Sequence, residues 1–371
     1  MEQFLRMRQD LPVYPWRGES IRIGADDQEV WEIPDPQGHW QRLLQLCDGM
    51  HSSTDIIKTM IAAGVNFDEV CTAINHLREA NIIIVFNKPY TESSHDERVR
   101  GNLAYFWAEK LDALAIQQQL DAMTVTVIGA GGGGSHFLMH LAALGVQHVR
   151  IVDYDIVDAS NLNRQWMYDI QHIGSAKVDA AAEYVMNRVA GATVQTFYQK
   201  LERVIDVRAI IQGSNWVFCA ADEPPYRMQR LVNRACIAER IPCMYAFSQR
   251  QSGRMMEIIP DVSGCVDCLL ATSDARYPSF RQLVTGLVTS NFHQDTPLIS
   301  PTLGLMTSWI MKRWVDLITR PDISRGNTMF RLDFSTFQIT PISTWKRLPE
   351  CVTCGNQGNA QHAVWQLLPI D

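Results

Sequence analysis

Apolar and polar residues alternate with a period of two over Ser20–Ile23 and Val30–Ile33. The polar turn Ala25-Asp26-Asp27 between them predicts a hairpin. The period then lengthens. Leu43, Leu44, Leu46 and Cys47 mark a helix that stops at Asp48-Gly49, and Ser52-Ser53-Thr54-Asp55 supplies capping side chains for a second helix carrying Ile56, Ile57, Met60 and Ile61. A third helix over Phe67–Ala80 leads into the apolar strand Ile82–Phe86. Hairpin, three helices and a closing strand describe a small winged-helix-like α+β domain over residues 1–87. Residues 88–100 are polar, contain a proline and lack periodicity, which reads as a linker.

From residue 101 to 371 the pattern alternates. Short apolar runs at Val125–Gly129, Val149–Asp153, Val194–Tyr198, Trp216–Ala220 and Pro242–Phe247 are separated by helical patterns, notably Ser135–Leu144 and Lys177–Val189. Such alternation predicts right-handed βαβ units and an α/β fold, a Rossmann-like, doubly wound, mostly parallel sheet. After Arg254 strands follow in series (Met255–Pro260, Met329–Phe334, Phe337–Ile342), broken by an amphipathic helix near Pro301–Thr319, so the C-terminal extension is expected to be antiparallel. Residues 271–298 mix polar and apolar positions without firm periodicity and read as a lid over a substrate site.

Composition narrows the function classes. The 371 residues carry 46% apolar and 20% charged residues, which suits folded cores and excludes a disordered chain. The most apolar long stretch, Pro301–Val315, is interrupted by Lys312 and Arg313 and falls short of a membrane span. No apolar core of a secretory signal stands at the start, so a cytoplasmic address is expected. Net charge is −7, and residues 1–90 alone hold 8 Lys and Arg against 13 Asp and Glu, which argues against nucleic acid as a partner.

The chemistry begins at Gly129-Ala130-Gly131-Gly132-Gly133-Gly134-Ser135, between a strand and a helix. Gly129, Gly131 and Gly134 fit G-x-G-x-x-G, a turn that lets backbone approach a phosphate held at the following helix N-terminus. The fingerprint does not say which nucleotide, so a nicotinamide oxidoreductase stays open at this point. Asp153 ends the next strand, where a carboxylate can take ribose hydroxyls or stand in solvent, and Asp155 follows on a turn where it can also cap. The loop Ser160-Asn161-Leu162-Asn163-Arg164-Gln165 and Lys177 bring cations to the same loop end, which suits a triphosphate. Asp222, after Trp216–Ala220, can hold Mg²⁺ against ATP phosphates or cap the helix near Pro224.

Nine cysteines are too odd a set for a disulfide framework. Two C-x-x-C pairs, Cys265/Cys268 and Cys351/Cys354, supply a closed thiolate shell for structural Zn²⁺ across an unusually long gap. The other five, Cys47, Cys71, Cys219, Cys236 and Cys243, read as buried small hydrophobes.

The ordered set IGAGGGGS, VDYD, SNLNRQ, GSAKVD, AADEP and the two cysteine pairs resembles the ThiF/MoeB, ubiquitin-activating-like adenylating enzymes over about residues 96–356. That resemblance implies ATP- and Mg²⁺-dependent activation of a carboxylate as an acyl adenylate, a homodimer and a structural zinc. By motif it puts Gly129, Gly131, Gly132, Gly134, Asp153, Asp155, Asn161 and Gln165 at the nucleotide, with Arg164 and Lys177 on its phosphates and Asp222 on the metal. It also implies that Arg100, from the Arg98/Arg100 pair, reaches a partner's site. No cysteine lies between Cys268 and Cys351, which counts against a thioester cycle. The N-terminal pattern is similar to the PqqD-like elements that bind leader peptides of ribosomal precursor peptides, a leader adding a strand to the hairpin edge. Together these imply leader-guided, ATP-dependent modification of a peptide in antibiotic biosynthesis. The alternative is an adenylyltransferase for a ubiquitin-like sulfur carrier ending in Gly-Gly.

Overall fold

The computed structural model describes residues 2–25, 29–289, 297–357 and 362–370, and the chain divides into two compact units, Met1–Gln118 and Gln119–Asp371. In the first, strands β1 (Phe4–Met7), β2 (Val13–Trp16), β3 (Ser20–Ile23), β4 (Trp31–Pro34), β5 (Asp48–Ser52) and β6 (Ile83–Phe86) form two three-stranded antiparallel sheets, ordered β2-β3-β4 and β5-β1-β6. Helices α1 (His39–Leu46), α2 (Ser53–Ala62) and α3 (Phe67–Glu79) complete its core, in which Leu5, Ile23, Ile56, Met60 and Val70 are fully buried. Ser52 caps α2 by accepting the Asp55 amide and Asn66 caps α3 by accepting the Asp68 amide. The expected hairpin is thus β3–β4, and part of its turn, Asp26-Asp27, lies outside the described residues.

The structure corrects the linker expected at 88–100. Tyr90 stacks on Phe86 at 4.6 Å, its ring takes the Arg6 guanidinium, and its amide donates to the Gly49 carbonyl. Helix α4 (Ser94–Arg98) then opens with a capping box between Ser93 and Asp96, and α5 (Arg100–Ala108) and α6 (Ala113–Ala122) follow. A polar stretch without periodicity is folded here by one aromatic anchor and one cap.

The second unit is built on an eight-stranded sheet whose strands are β7 (Thr124–Ile128), β8 (His148–Asp153), β9 (Thr193–Tyr198), β10 (Trp216–Cys219), β11 (Cys243–Gln249), β12 (Ser252–Ile258), β13 (Thr328–Asp333) and β14 (Ile339–Thr344). The order β9-β8-β7-β10-β11 is parallel throughout, and β12, β13 and β14 extend it antiparallel, as expected. The chain runs outward from β7 to β9 and then crosses to β10, so the topological switch lies between β7 and β10. Helices α7 (Gly132–Leu144), α8 (Lys177–Met186), α9 (Val204–Ile211), α10 (Arg227–Glu239), α11 (Val266–Arg276), α12 (Phe280–Thr289), α13 (Ser300–Thr319) and α14 (Ala363–Gln366) surround it.

Strand β10 shows why both faces are covered. Val217 and Cys219 join the core shared with α9 and α10, while the alternate residues Trp216 and Phe218 meet Trp314 of α13, and Phe218 also meets Phe137 of α7. The stretch read as a lid is helical from 266 to 276 and from 280 to 289, and its remainder at 290–296 lies outside the described residues. No helix among the described residues is long and apolar enough to cross a membrane.

Candidate functional site

The carboxyl ends of β7, β8 and β10 open into one cleft of about 260 Å³. Gly129, Gly131, Gly132, Asp153, Asp155, Arg164, Gln165 and Asp222, all singled out from sequence, line it. At Gly129 φ is +88°, and a Cβ would stand 2.9 Å from the Ala221 nitrogen. At Gly134 a Cβ would fall 1.7 Å from the Gly129 carbonyl oxygen. Gly129 therefore makes the turn and Gly134 lets α7 start against it, so Gly134 shapes the loop without lining the cleft. Gly131 sits at the α7 N-cap with no side chain satisfying the first amides, which leaves donors and the positive dipole end facing the cleft.

Asp153 is fixed by this loop. Its carboxylate accepts the Ala130 amide at 2.6 Å and the Asp155 amide at 2.8 Å. Arg164 donates to the Ser160 carbonyl and the Asn163 side chain, and His136 Nε2 sits 3.1 Å from the Arg164 carbonyl oxygen, so the arginine loop is held against α7. Gln165 is buried beside Gly131, and its Oε1 has no donor among the described residues, an orphaned acceptor at the cleft wall that suits a ligand hydroxyl or amine. Asp222 carries an exposed carboxylate on the cleft floor. Desolvation by the enclosing walls and the neighbouring Glu223 charge both push its pKa above the usual carboxylate value.

Besides Gly134, two residues expected at the nucleotide and its phosphates, Lys177 and Asn161, are not among those lining the cleft. Lys177 is buried at the start of α8 with Nζ 2.9 Å from Asp155 Oδ2, one ion pair removed from the lining. Asn161 caps its own turn, its Oδ1 accepting the Asp158 amide. Arg100 belongs to the first unit and pairs there with Glu92 at 2.6 Å and Glu97 at 3.9 Å. Tyr168, which no motif marked, bridges the site's backbone: its hydroxyl donates to the Ala130 carbonyl at 2.7 Å and lies 3.3 Å from the Lys177 carbonyl. Gln199 and Ser248 also line the cleft and follow no sequence pattern; Glu223 lines it too, within the AADEP motif, which gives it no role.

The four paired cysteines converge as expected. The sulfurs of Cys265, Cys268, Cys351 and Cys354 all lie within 4.8 Å of one another, and the close pairs are at 3.9, 3.6 and 3.4 Å. A tetrahedral Zn–S₄ site with bonds of about 2.3 Å has edges of about 3.8 Å. The amides of Leu348 and Thr353 point at the Cys268 and Cys351 sulfurs, the outer support that thiolates need. The donor set and its spacing fit zinc. Of the other five cysteines, four are buried and Cys71 is half-buried.

The first unit has a cavity of its own, an apolar groove of about 790 Å³ between the outer edge of β4 and α3. Trp31, Ile33, Trp40, Leu43, Leu44 and Leu77 are among its walls. Among the described residues β4 pairs only with β3, which leaves its other edge without a strand partner.

Comparison with known proteins places these features. A family model described as the ThiF family matches residues 102–353. The SAMP-activating enzyme E1 of Haloferax volcanii is 32% identical over 245 residues, 65% of this chain and 84% of that protein. The adenylyltransferase and sulfurtransferase UBA4 of Lodderomyces elongisporus is 27% identical over 252 residues, 67% of this chain, and the chain spans about half of it (52%). In overall fold, E. coli MccB, solved with ATP, superposes with a TM-score of 0.69 at 17% identity, covering 96% of this chain and 100% of MccB. PaaA does so with a TM-score of 0.69 at 19% identity, covering 91% and 99%. The cleft geometry, the cysteine shell and the length of the family match agree, and the chain belongs to the ThiF family.

Proposed function

We propose that the protein activates a carboxylate of a ribosomally made precursor peptide by ATP-dependent adenylation, guided by a leader segment bound to the first unit. The observation carrying the peptide substrate is the apolar groove beside a free strand edge, in a unit of which residues 1–101 precede the family match. The fold likeness to MccB spans 96% of the chain, including that unit, and MccB has been solved in complex with N-formylated MccA.

In this reading the α7 N-terminus receives phosphate, Asp153 takes ribose hydroxyls on the lone pairs its two amides leave free, and Arg164 faces the phosphoryl charge. Lys177 works from its ion pair with Asp155. Asp222 would hold Mg²⁺, which offsets phosphate charge when bound, and the four cysteines would hold structural Zn²⁺. The peptide carboxylate attacks the α-phosphorus, the bond to the β-phosphate oxygen breaks and pyrophosphate leaves. A neighbouring amide or other nucleophile of the peptide then displaces AMP, closing a ring with net loss of water; holding both groups on one chain supplies the proximity. Arg100 would act on a partner's site in a homodimer.

Pyrophosphate exchange tests this. Exchange stimulated by a precursor peptide with its leader, and lost without the leader, is expected. Exchange stimulated only by a Gly-Gly-ended carrier would replace the reading by the sulfur-carrier one, which the similarity to UBA4 and the SAMP-activating enzyme supports. Arg164→Ala should slow exchange about 10²-fold, as expected for removing a donor aimed at developing charge. Without Mg²⁺ the Asp222 carboxyl should titrate above the range of a free aspartate, read by ¹³C NMR, and Mg²⁺ bound to it should lower that titration. Glu223→Gln removes a negative neighbour and should lower the metal-free titration of Asp222.

A further inference from the structure

The groove on the first unit has an apolar floor and an acidic rim. Asp68 and Glu69, in the first turn of α3, and Glu32, on β4, are exposed and line it, and neither Lys nor Arg is among the lining residues. Arg22 stands 3.8 Å from Glu32 and answers one of these charges at long range. Asp68 and Glu69 have no such cation in any recorded ion pair among the described residues, and the net −5 of residues 1–90 reinforces them.

We propose that the occupant of this groove is an extended cationic segment, with apolar side chains at alternate positions and Lys or Arg between them. The proposal rests on the leader-docking reading and adds the chemistry of the leader. The alternation follows from β4. A strand added to its free edge places side chains opposite Trp31 and Ile33 on the half-buried apolar face, and the one opposite Glu32 on the polar face. A Lys or Arg there meets the Glu32 carboxylate across the strand pair, and Asp68 and Glu69 add to the negative field along the groove. An acidic leader would place like charges along the same line.

The test uses the full chain and three fluorescein-labelled, end-blocked peptides, Thr-Val-Lys-Ile-Lys-Val-Thr and its Gln and Glu counterparts, with binding read by anisotropy. The Lys peptide is expected to bind about tenfold more tightly than the Glu peptide, a factor that a few exposed charge pairs supply together. Asp68→Lys with Glu69→Lys should invert the order. Asp68→Asn with Glu69→Gln, which keeps the helix start unburdened, should narrow the gap. Glu202→Lys with Asp322→Lys changes net charge equally at exposed positions in the other unit and should leave the order intact. Equal affinities, an order that survives the reversal, an order lost equally in the control, or no binding of any peptide would each overturn the proposal. Charge-ordered binding together with exchange driven only by a Gly-Gly carrier would instead overturn the catalytic reading and leave the groove's selectivity standing.

Discussion

Asp267→Asn is expected to destabilise the larger unit by about 3–5 kcal/mol, lowering its thermal midpoint on the order of 10 °C. Asp267 is wholly buried between Cys265 and Cys268. Its carboxylate takes Arg230 Nε at 2.5 Å and the Thr353 hydroxyl at 2.5 Å, and its carbonyl accepts Trp365 Nε1 at 3.1 Å. Arg230, 3% exposed, also donates to the carbonyls of Trp365 and Leu368. One ion pair thus joins α10, the first cysteine pair, the second cysteine pair and the C-terminal segment. Asparagine would turn an amide donor toward guanidinium donors and leave the cation buried without a counter-charge. Arg230→Met should cost a similar amount, because it strands the carboxylate. The double variant Arg230→Met/Asp267→Leu should recover a large part, since it removes both desolvation penalties. A denaturant-unfolding cycle measures the coupling, and single-variant losses below about 1 kcal/mol would place the pair among weak surface-like bridges.

What was legible in the sequence had local causes. Strand β10 is a continuous apolar run, and β7 and β8 carry apolar residues at their buried central positions, because helices bury both faces of the sheet; the glycine loop is legible because only glycine fits at Gly129 and Gly134. The cysteine pairs were legible by spacing alone. Less local features were hidden. Strand β1 carries Arg6, and Arg8 follows it. Both are buried, Arg8 with Asp10, Glu29 and the Asn81 carbonyl and Arg6 under the Tyr90 ring, so their charges break the apolar pattern while all their partners but Asp10 lie far along the chain. Tyr168 and the Arg230–Asp267 pair act across separations of 38 and 37 residues, which no window can register. Lys177 illustrates a half-legible residue. A lysine at a helix start opposes the macrodipole and so signals a purpose, but its partner Asp155, 22 residues away, comes only from the fold.

Removing the metal from the four-cysteine shell, or replacing Cys351 with serine, is expected to have the largest effect on the larger unit. Structural zinc contributes about 10–16 kcal/mol of apparent binding free energy in small zinc domains, comparable to the whole stability of about 5–15 kcal/mol of an ordinary domain. Here the shell closes a loop from Cys268 to Cys351, and Cys265 and Cys351 are 0% exposed, so no open position is left for water or substrate. The purified protein should hold about one zinc per chain by elemental analysis. Cys351→Ser should lose it, while Cys71→Ser, on α3 of the other unit, should retain it. Hydrogen exchange should then speed up over 345–357 and 362–370, where Trp345, Val364 and Leu368 pack into the core beside the cysteines. Protein isolated without metal and with those amides still protected would show that the thiols and the Arg230–Asp267 pair hold the tail unaided. The order of loss separates the two supports: if the zinc is the primary clip, chelation exposes the tail with Asp267 intact, whereas Asp267→Asn lowers stability with the metal still bound.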